Sequence, residues 1–192
     1  SGAGATSGTN FKNGVELAVR EINAAGGILG RKIETCTLWA PACTVELFKL
    51  AYLPAVNSGG IKRFALFTLT DQVEQDDNCA NVYHKSLLYL VSNAFEKRER
   101  IPLFQKDGEP ILGMEKFIHT DAELTALFKN GKADWIRSPN TAADGSPIHS
   151  TARHHGDFDD DKPTVLATLA RILGNKTSQA PFEFARTPAS LR

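Results

Sequence analysis

The sequence predicts an α/β fold, a mostly parallel sheet flanked by helices, and three features carry that prediction. Phe64, Leu66, Phe67 and Leu69 make Phe64–Leu69 too densely apolar for a strand with one wet face. Such density suits a strand covered on both sides, as in a parallel sheet under helices. Residues 33–173 then read strand–helix–strand–helix–helix–strand–helix, the alternation that parallel crossovers require. Finally, chemistry-bearing residues follow the strand ends. Asp71, Glu74, Asp76 and Asp77 come after the Phe64 run, and His154 and His155 come after the last strand. In open α/β sheets, ligands gather at that carboxyl edge.

Composition sets the bounds. A chain of 192 residues, 42% hydrophobic, is sized for one domain or about one and a half, with a real core. The formal net charge of zero argues against a surface built to neutralise nucleic-acid phosphates. The three cysteines, Cys36, Cys43 and Cys79, form no CxxC pair and read as small buried thiols. No run is long enough to cross a bilayer. The opening Ser-Gly-Ala-Gly-Ala-Thr-Ser-Gly reads as a processed, trimmed or fragmentary start.

In chain order, residues 1–10 are a Gly/Ser/Thr-rich loop. Phe11, Val15, Ala18, Val19 and Ile22 recur at helical spacing, with Asn10 as N-cap and Gly26-Gly27 as the stop. Ile28–Glu34 is a tight turn feeding a strand. The stretch from Gly8 to Glu34, Gly-Thr-Asn-Phe-Lys-Asn-Gly-Val-Glu-Leu-Ala-Val-Arg-Glu-Ile-Asn-Ala-Ala-Gly-Gly-Ile-Leu-Gly-Arg-Lys-Ile-Glu, resembles the periplasmic binding proteins of branched-chain amino-acid ABC transporters. The resemblance covers about the first 35 residues and implies the first helix of an N-terminal lobe and the lead-in to its second strand. The ligand loops and second lobe of that family have no counterpart in the chain.

From Thr35 the character changes. Cys36–Pro41 ends a strand closed by proline, and Val45–Val56 is a helical stretch interrupted by Pro54. After the Phe64 strand, Asn78–Arg98 carries the broadest apolar stripe, with Val82, Leu87, Leu90, Val91 and Phe95, and ends in the basic run Lys97–Arg100. Residues 101–112 are loop, and Gly113–Thr120 is ambiguous. Thr120 caps a helix over Asp121–Lys129, Ala133–Arg137 is a strand, and Ser138–Thr151 is a long polar loop of the functional or mobile kind. Pro163–Leu173 is a last helix with acids at its positive end, Gly174 stops it, and residues 175–192 form an irregular tail.

The acids and histidines suggest an acid/base pair. A serine hydrolase needs a base histidine and a carboxylate to orient it, each on a loop after a strand. Leu38–Thr44, Phe64–Asp77, Lys85–Ser92 and His155-Gly156-Asp157-Phe158-Asp159-Asp160-Asp161 together resemble the C-terminal half of bacterial α/β-hydrolase-fold proteins, over residues 36–192. The resemblance implies an esterase- or lipase-type acyl hydrolase, with Asp71 as the acid (Asp76 and Asp77 as rivals) and His155 as the base (His154 as rival). No Gly-x-Ser-x-Gly elbow occurs in the chain, and Ser7 has glycine on one side only and no strand before it. The hydrolase-like portion is therefore expected to be inactive alone.

Plainer readings stand beside these. The acids after Leu69 and before Pro163 also suit helix caps. His154, His155, Asp157, Asp159, Asp160 and Asp161 offer mixed ligands for a metal, but Asp157, Asp159 and Asp161 lack the glycine and distal glutamate of a calcium loop, so neither a metal nor another cofactor is expected. His119 and His149 have no evident partner, and Trp39 and Trp135 read as sheet packing.

The expected organisation is a binding-protein-like segment (1–35), an incomplete α/β-hydrolase-like domain (36–174) and the tail (175–192). Three readings follow: an acyl hydrolase portion, a periplasmic substrate-binding protein, or a fusion of unrelated segments without coherent activity. The partner is a small ester or an amino acid, not nucleic acid, and loss of earlier strands would leave a sheet edge open to self-association. The compartment is the cytoplasm on the first reading and the periplasm on the second.

Overall fold

The structure, a computed structural model, describes residues 33–77, 85–95 and 108–174. The N-terminal helix expected from Phe11, Cys79, His84, the basic run Lys97–Arg100 and the C-terminal tail lie outside the described residues. Strands β1 (Ile33–Trp39), β2 (Ile61–Leu69) and β3 (Ala133–Ser138) form a parallel sheet in the order β1-β2-β3. Around it lie helices α1 (Val45–Ala51), α2 (Leu53–Asn57), α3 (Asp71–Asp76), α4 (Leu87–Leu90), α5 (Glu115–Thr120), α6 (Ala122–Lys129) and α7 (Lys162–Ile172). The fold is mixed α/β, as the alternation of signals predicts. β1 runs unbroken through Thr35 and Cys36, where the sequence changes character.

The central strand explains the sheet. Phe64 to Leu69 are all buried, none more than 1% exposed, so both faces of β2 are covered. Leu66 pairs in register with Leu38 and Trp135, and Phe67 with Trp39 and Ile136. On the Phe64 and Leu66 face, Phe48 of α1 packs on Phe64 with ring centroids 5.3 Å apart, and Phe128 of α6 packs on Trp135 at 5.8 Å. On the Phe67 face lies α7. Trp39 Nε1 donates to Thr168 Oγ1 at 3.2 Å, and the Arg171 guanidinium sits over the Phe67 ring. Both tryptophans thus pack the sheet, with Trp135 Nε1 donating to Thr68 Oγ1 at 3.0 Å.

Helix ends follow capping chemistry, with several shifts from the sequence reading. Proline divides Val45–Val56 into α1 and α2, and Pro54 lies in the first turn of α2, where its missing N–H costs nothing. Asp121, not Thr120, caps α6, its carboxylate accepting from the Glu123 and Leu124 amides, while Thr120 closes α5 by bonding back to Lys116 O. The ambiguous Gly113–Thr120 stretch holds helix α5.

The expected single helix over Asn78–Arg98 is not continuous. Ser86 has extended backbone and caps the four-residue α4, which passes into a π-helical turn over Val91–Phe95. The cause is local: Ser86 N donates to Glu74 O at 3.0 Å, and its hydroxyl bonds the Glu74 side chain, so Ser86 is held to α3 instead of continuing a helix.

Candidate functional site at the carboxyl edge of the sheet

β2 delivers its acids through α3, a short polar helix, and the turn of that helix sends them in different directions. Asp71 N donates to Glu115 Oε2 at 2.6 Å, and Asp71 Oδ1 accepts from the Tyr89 hydroxyl at 2.8 Å. Asp76 is exposed and accepts from Gln72 Nε2 at 2.9 Å. Asp77, just past the helix, is buried. Its Oδ2 accepts from the His155 backbone N–H at 3.4 Å, and its Oδ1 lies 4.0 Å from His154 Nε2. Of the three acids singled out by sequence, Asp77 is the one brought to the histidines, while Asp71 and Asp76 engage Tyr89 and Gln72.

β3 delivers the histidines through residues 139–161, a long segment that the side chains fasten at many points. Asn140 donates to the Arg137 and Ile148 carbonyls, each at 2.9 Å. The buried Arg171 donates to Pro147 O at 2.8 Å and pairs with Asp134 at 2.6 Å. Ser138, Ser150 and Thr164, all fully buried, form a chain of hydroxyl contacts at 2.7 Å from the end of β3 to the first turn of α7. Asp161 caps α7 and accepts from Thr151 N at 2.9 Å. Asp161, the last of the acids before α7, therefore serves as cap and tie. The described residues contain no group of three or more His, Cys, Asp or Glu side chains able to hold a metal ion.

The two histidines differ. His154 is exposed, and its Nδ1 lies 3.0 Å from Asp157 Oδ2, which also accepts from the His154 and Arg153 amides. This reciprocal cap closes the 3-10 turn His155–Asp157 and holds the Asp157 carboxyl below its ordinary range despite its partial burial. His155 is more enclosed. Burial pushes its imidazole pKa down, and Asp77 opposes that shift. Its Nδ1 is buried and has no hydrogen-bond partner. Burial thus disfavours the charged form of the His155 ring, while Asp77 reaches this residue through its backbone N–H.

Sequence reasoning placed Glu74 among the acids without distinguishing it. The structure buries it completely, with one oxygen bonded to Ser86 Oγ. Burial, followed by the charges of Asp77 and Asp71, pushes its pKa up to about 7 against the lowering effect of Ser86. The other residues missed are Glu115 and its partners. Glu115 is buried, anchors the Asp71 amide, and lies 3.2 Å from Arg137 and 3.4 Å from His119. His119 also meets the Trp135 edge and so has partners, whereas the buried His149 Nδ1 lies 3.2 Å from Asp144 but makes no hydrogen bond. No signal short of the folded sheet would have joined these residues.

A nucleophile is less evident. The hydroxyls of Ser86, Ser92, Ser138 and Ser150 are fully buried and hydrogen-bonded. Cys36 and Cys43 are half-buried, and burial pushes the Cys36 thiol up, away from the reactive thiolate.

Comparison with known proteins gives one match. A family model described as periplasmic binding protein matches residues 1–38, which reaches the described residues only in β1, from Ile33 to Leu38. No curated protein and no solved structure matches the chain. None of these findings supports the hydrolase resemblance of residues 36–192; the one match agrees with the binding-protein resemblance of the first 35 residues.

Proposed function

We propose that the α/β unit supplies the acid and base of an acyl hydrolase acting on a small ester, with Asp77 as the acid and His155 as the base. The observation that carries this reading is the meeting of Asp77 with the two histidines at the carboxyl edge of a parallel sheet. In acyl transfer the base imidazole takes a proton from the attacking oxygen and returns it to the leaving group, and a neighbouring carboxylate stabilises the imidazolium between those events. His155 suits the base because desolvation favours its neutral form and its ring is not engaged in capping, as His154 is. Asp77 suits the acid because it is buried beside His155, so its charge acts through little water. The chain has no nucleophile elbow, the ground on which the sequence alone predicts an inactive portion; the proposal departs from that expectation in having the pair activate water, or a hydroxyl brought by the substrate, directly.

The test is the rate of hydrolysis of a short-chain activated ester by the intact chain, His155→Ala and Asp77→Asn. A rate above buffer that falls in both variants supports the reading. Equal rates in all three proteins, or none above buffer, remove it.

A second reading is favoured by the family-model match: a periplasmic substrate-binding protein for a branched-chain amino acid. Its support lies in residues 1–38 and its consequence is binding without turnover. Calorimetric titration of the chain with leucine, isoleucine and valine decides it, since heat of binding without ester hydrolysis favours this reading over the first. Silence in both assays leaves a fusion of unrelated segments.

A further inference from the structure

Six large apolar side chains stand exposed among the described residues, and four of them gather at one end of the sheet. They are Ile33, Ile148, Ile172 and Leu173, each between 44% and 57% exposed. The course of α7 sets the place. The helix begins at the carboxyl end of β3, where Thr164 meets Ser150 and Ser138. It ends at the amino edge, where Arg171 pairs with Asp134 near the start of β3 and Gly174 faces the Arg63 guanidinium near the start of β2. Ile33 opens β1, and side chains alternate along a strand, so Ile33 shares a face with Trp39, whose indole bonds Thr168 of α7. Ile148 follows Pro147, whose carbonyl accepts from Arg171 Nε at 2.8 Å. The four side chains thus lie around the last turn of α7. The charges beside them are balanced. Glu34 pairs with Lys62 at 2.6 Å and with Arg63 at 3.2 Å, and Asp134 pairs with Arg171. The whole chain has a formal net charge of zero. Such a surface has no field to select an oppositely charged partner and none to repel its own copy.

We propose that this amino-edge patch is a self-docking surface, on which a second copy of the chain forms a reversible two-fold dimer. Clustered exposed apolar side chains mark association sites. Across a two-fold axis the same patch serves both copies, apolar against apolar, and its paired charges bring no like-sign repulsion. Four half-exposed side chains form only the core of the roughly 800 Å² per partner that a standard interface buries, so the pairing is weak and depends on concentration. Asp77 and the histidines lie at the carboxyl edge, the opposite end of the sheet, so the dimer leaves that site open. The pairing therefore stands apart from the proposed chemistry.

The test is light scattering on the full chain from micromolar to millimolar concentration. The weight-average mass is expected to climb from one chain toward two and to level there. Ile172→Lys and Leu173→Lys each place a charge at an exposed position and are expected to weaken the association about tenfold or more. Leu50→Lys, on the exposed side of α1 and away from the patch, is the control and is expected to change nothing. A soluble paramagnetic probe read on the methyl NMR signals gives a second measurement on the unaltered chain. Ile33, Ile148, Ile172 and Leu173 are expected to lose exposure together as concentration rises, and this reading decides the matter should the lysine variants fail to fold. A single-chain mass throughout, growth past two chains, or equal weakening by Leu50→Lys overturns the proposal. So does protection of these methyls already at low concentration, which assigns the patch to cover from within one chain.

Discussion

The Tyr89 hydroxyl donates to Asp71 Oδ1 at 2.8 Å, and that contact directs the first acid after β2 toward α4, away from the histidines. Asp77, at the other end of α3, is the acid that faces them. The two carboxylates therefore predict different mutational outcomes. Asp77→Asn should lower ester hydrolysis about a hundredfold or more, the range of a lost acid/base partner, and Asp71→Asn by less than about threefold. Initial rates under saturating ester check this, and the reverse order would return the acid to Asp71.

The neighbouring histidines should separate by the kind of damage their loss does. His154 caps the 3-10 turn with Asp157, so His154→Ala should cost about 1 kcal/mol of stability, measured by urea unfolding, and leave the His155 titration nearly in place. His155→Ala should abolish the ester rate with a smaller stability change, because its ring nitrogen Nδ1 holds no hydrogen bond to lose. A matching loss of rate in both variants would show that the turn as a whole, not His155, is what matters.

Much of this architecture is legible in the residues. Phe64, Leu66, Phe67 and Leu69 announce β2 because a strand covered on both faces needs apolar side chains at odd and even positions alike. Pro163 and the acids before it mark the start of α7, and Asp161 is its cap. Other parts are hidden for physical reasons. α3 is six residues of Asp-Gln-Val-Glu-Gln-Asp with no apolar period, so its acids can be seen but not the helical turn that parts Asp71 from Asp77. The break at Ser86 is invisible because the apolar stripe from Val82 to Phe95 keeps helical spacing through it, and only the tertiary bond to Glu74 reveals the stop. Nothing local to Glu74 tells it from the exposed Asp76 two residues on.

Buried Glu74 also makes stability depend on pH, with a sign that can be worked out. Its folded pKa, about 7, lies above the unfolded value near 4.5, so the folded state keeps its proton when the unfolded chain has lost it. Its contribution is unimpaired below the unfolded pKa, is lost progressively as pH rises between the two values, and is constant above the folded one. The loss amounts to about 3 kcal/mol across that window. His155 opposes it on the acid side, since a depressed imidazole pKa lowers stability as pH falls below 6.5. The difference between wild type and Glu74→Gln isolates the glutamate. Urea unfolding at a series of pH values should show the variant gaining on wild type as pH rises through the window, and parallel curves would contradict the burial.

The core gives a prediction independent of any function. Leu66 is 0% exposed at the middle of the central strand, in register with Leu38 and Trp135. Leu66→Ala removes apolar contacts on one face and leaves a cavity that neighbouring strands, tied by their ladders, cannot close. A loss of about 3–5 kcal/mol is expected. Thermal or urea unfolding checks it, and a loss under about 1 kcal/mol would mean that the Leu66 face of β2 is not packed as described.

The segment that presents the histidines should be loosened from a distance. Ser150 Oγ lies 2.7 Å from both Ser138 Oγ and Thr164 Oγ1, and all three residues are fully buried. Its backbone carbonyl accepts from Asn140 N at 2.9 Å, so Ser150 links both ends of the loop to β3 and α7. Ser150→Ala leaves a buried Thr164 oxygen and a buried Ser138 oxygen each short of a partner, at a cost of about 1–3 kcal/mol. Because that cost falls on the loop and not on β2, the amides of Asn140 and Asp157 should exchange faster with solvent while those of Leu66 and Phe67 hold their protection. Ser150→Thr keeps the hydroxyl but adds a methyl to a packed site, so it should retain the slow exchange only if the cavity yields. Uniformly faster exchange across β2 and the loop in Ser150→Ala would mean that the hydroxyl chain supports the whole sheet, and that the histidines share its stability and have no separate tether.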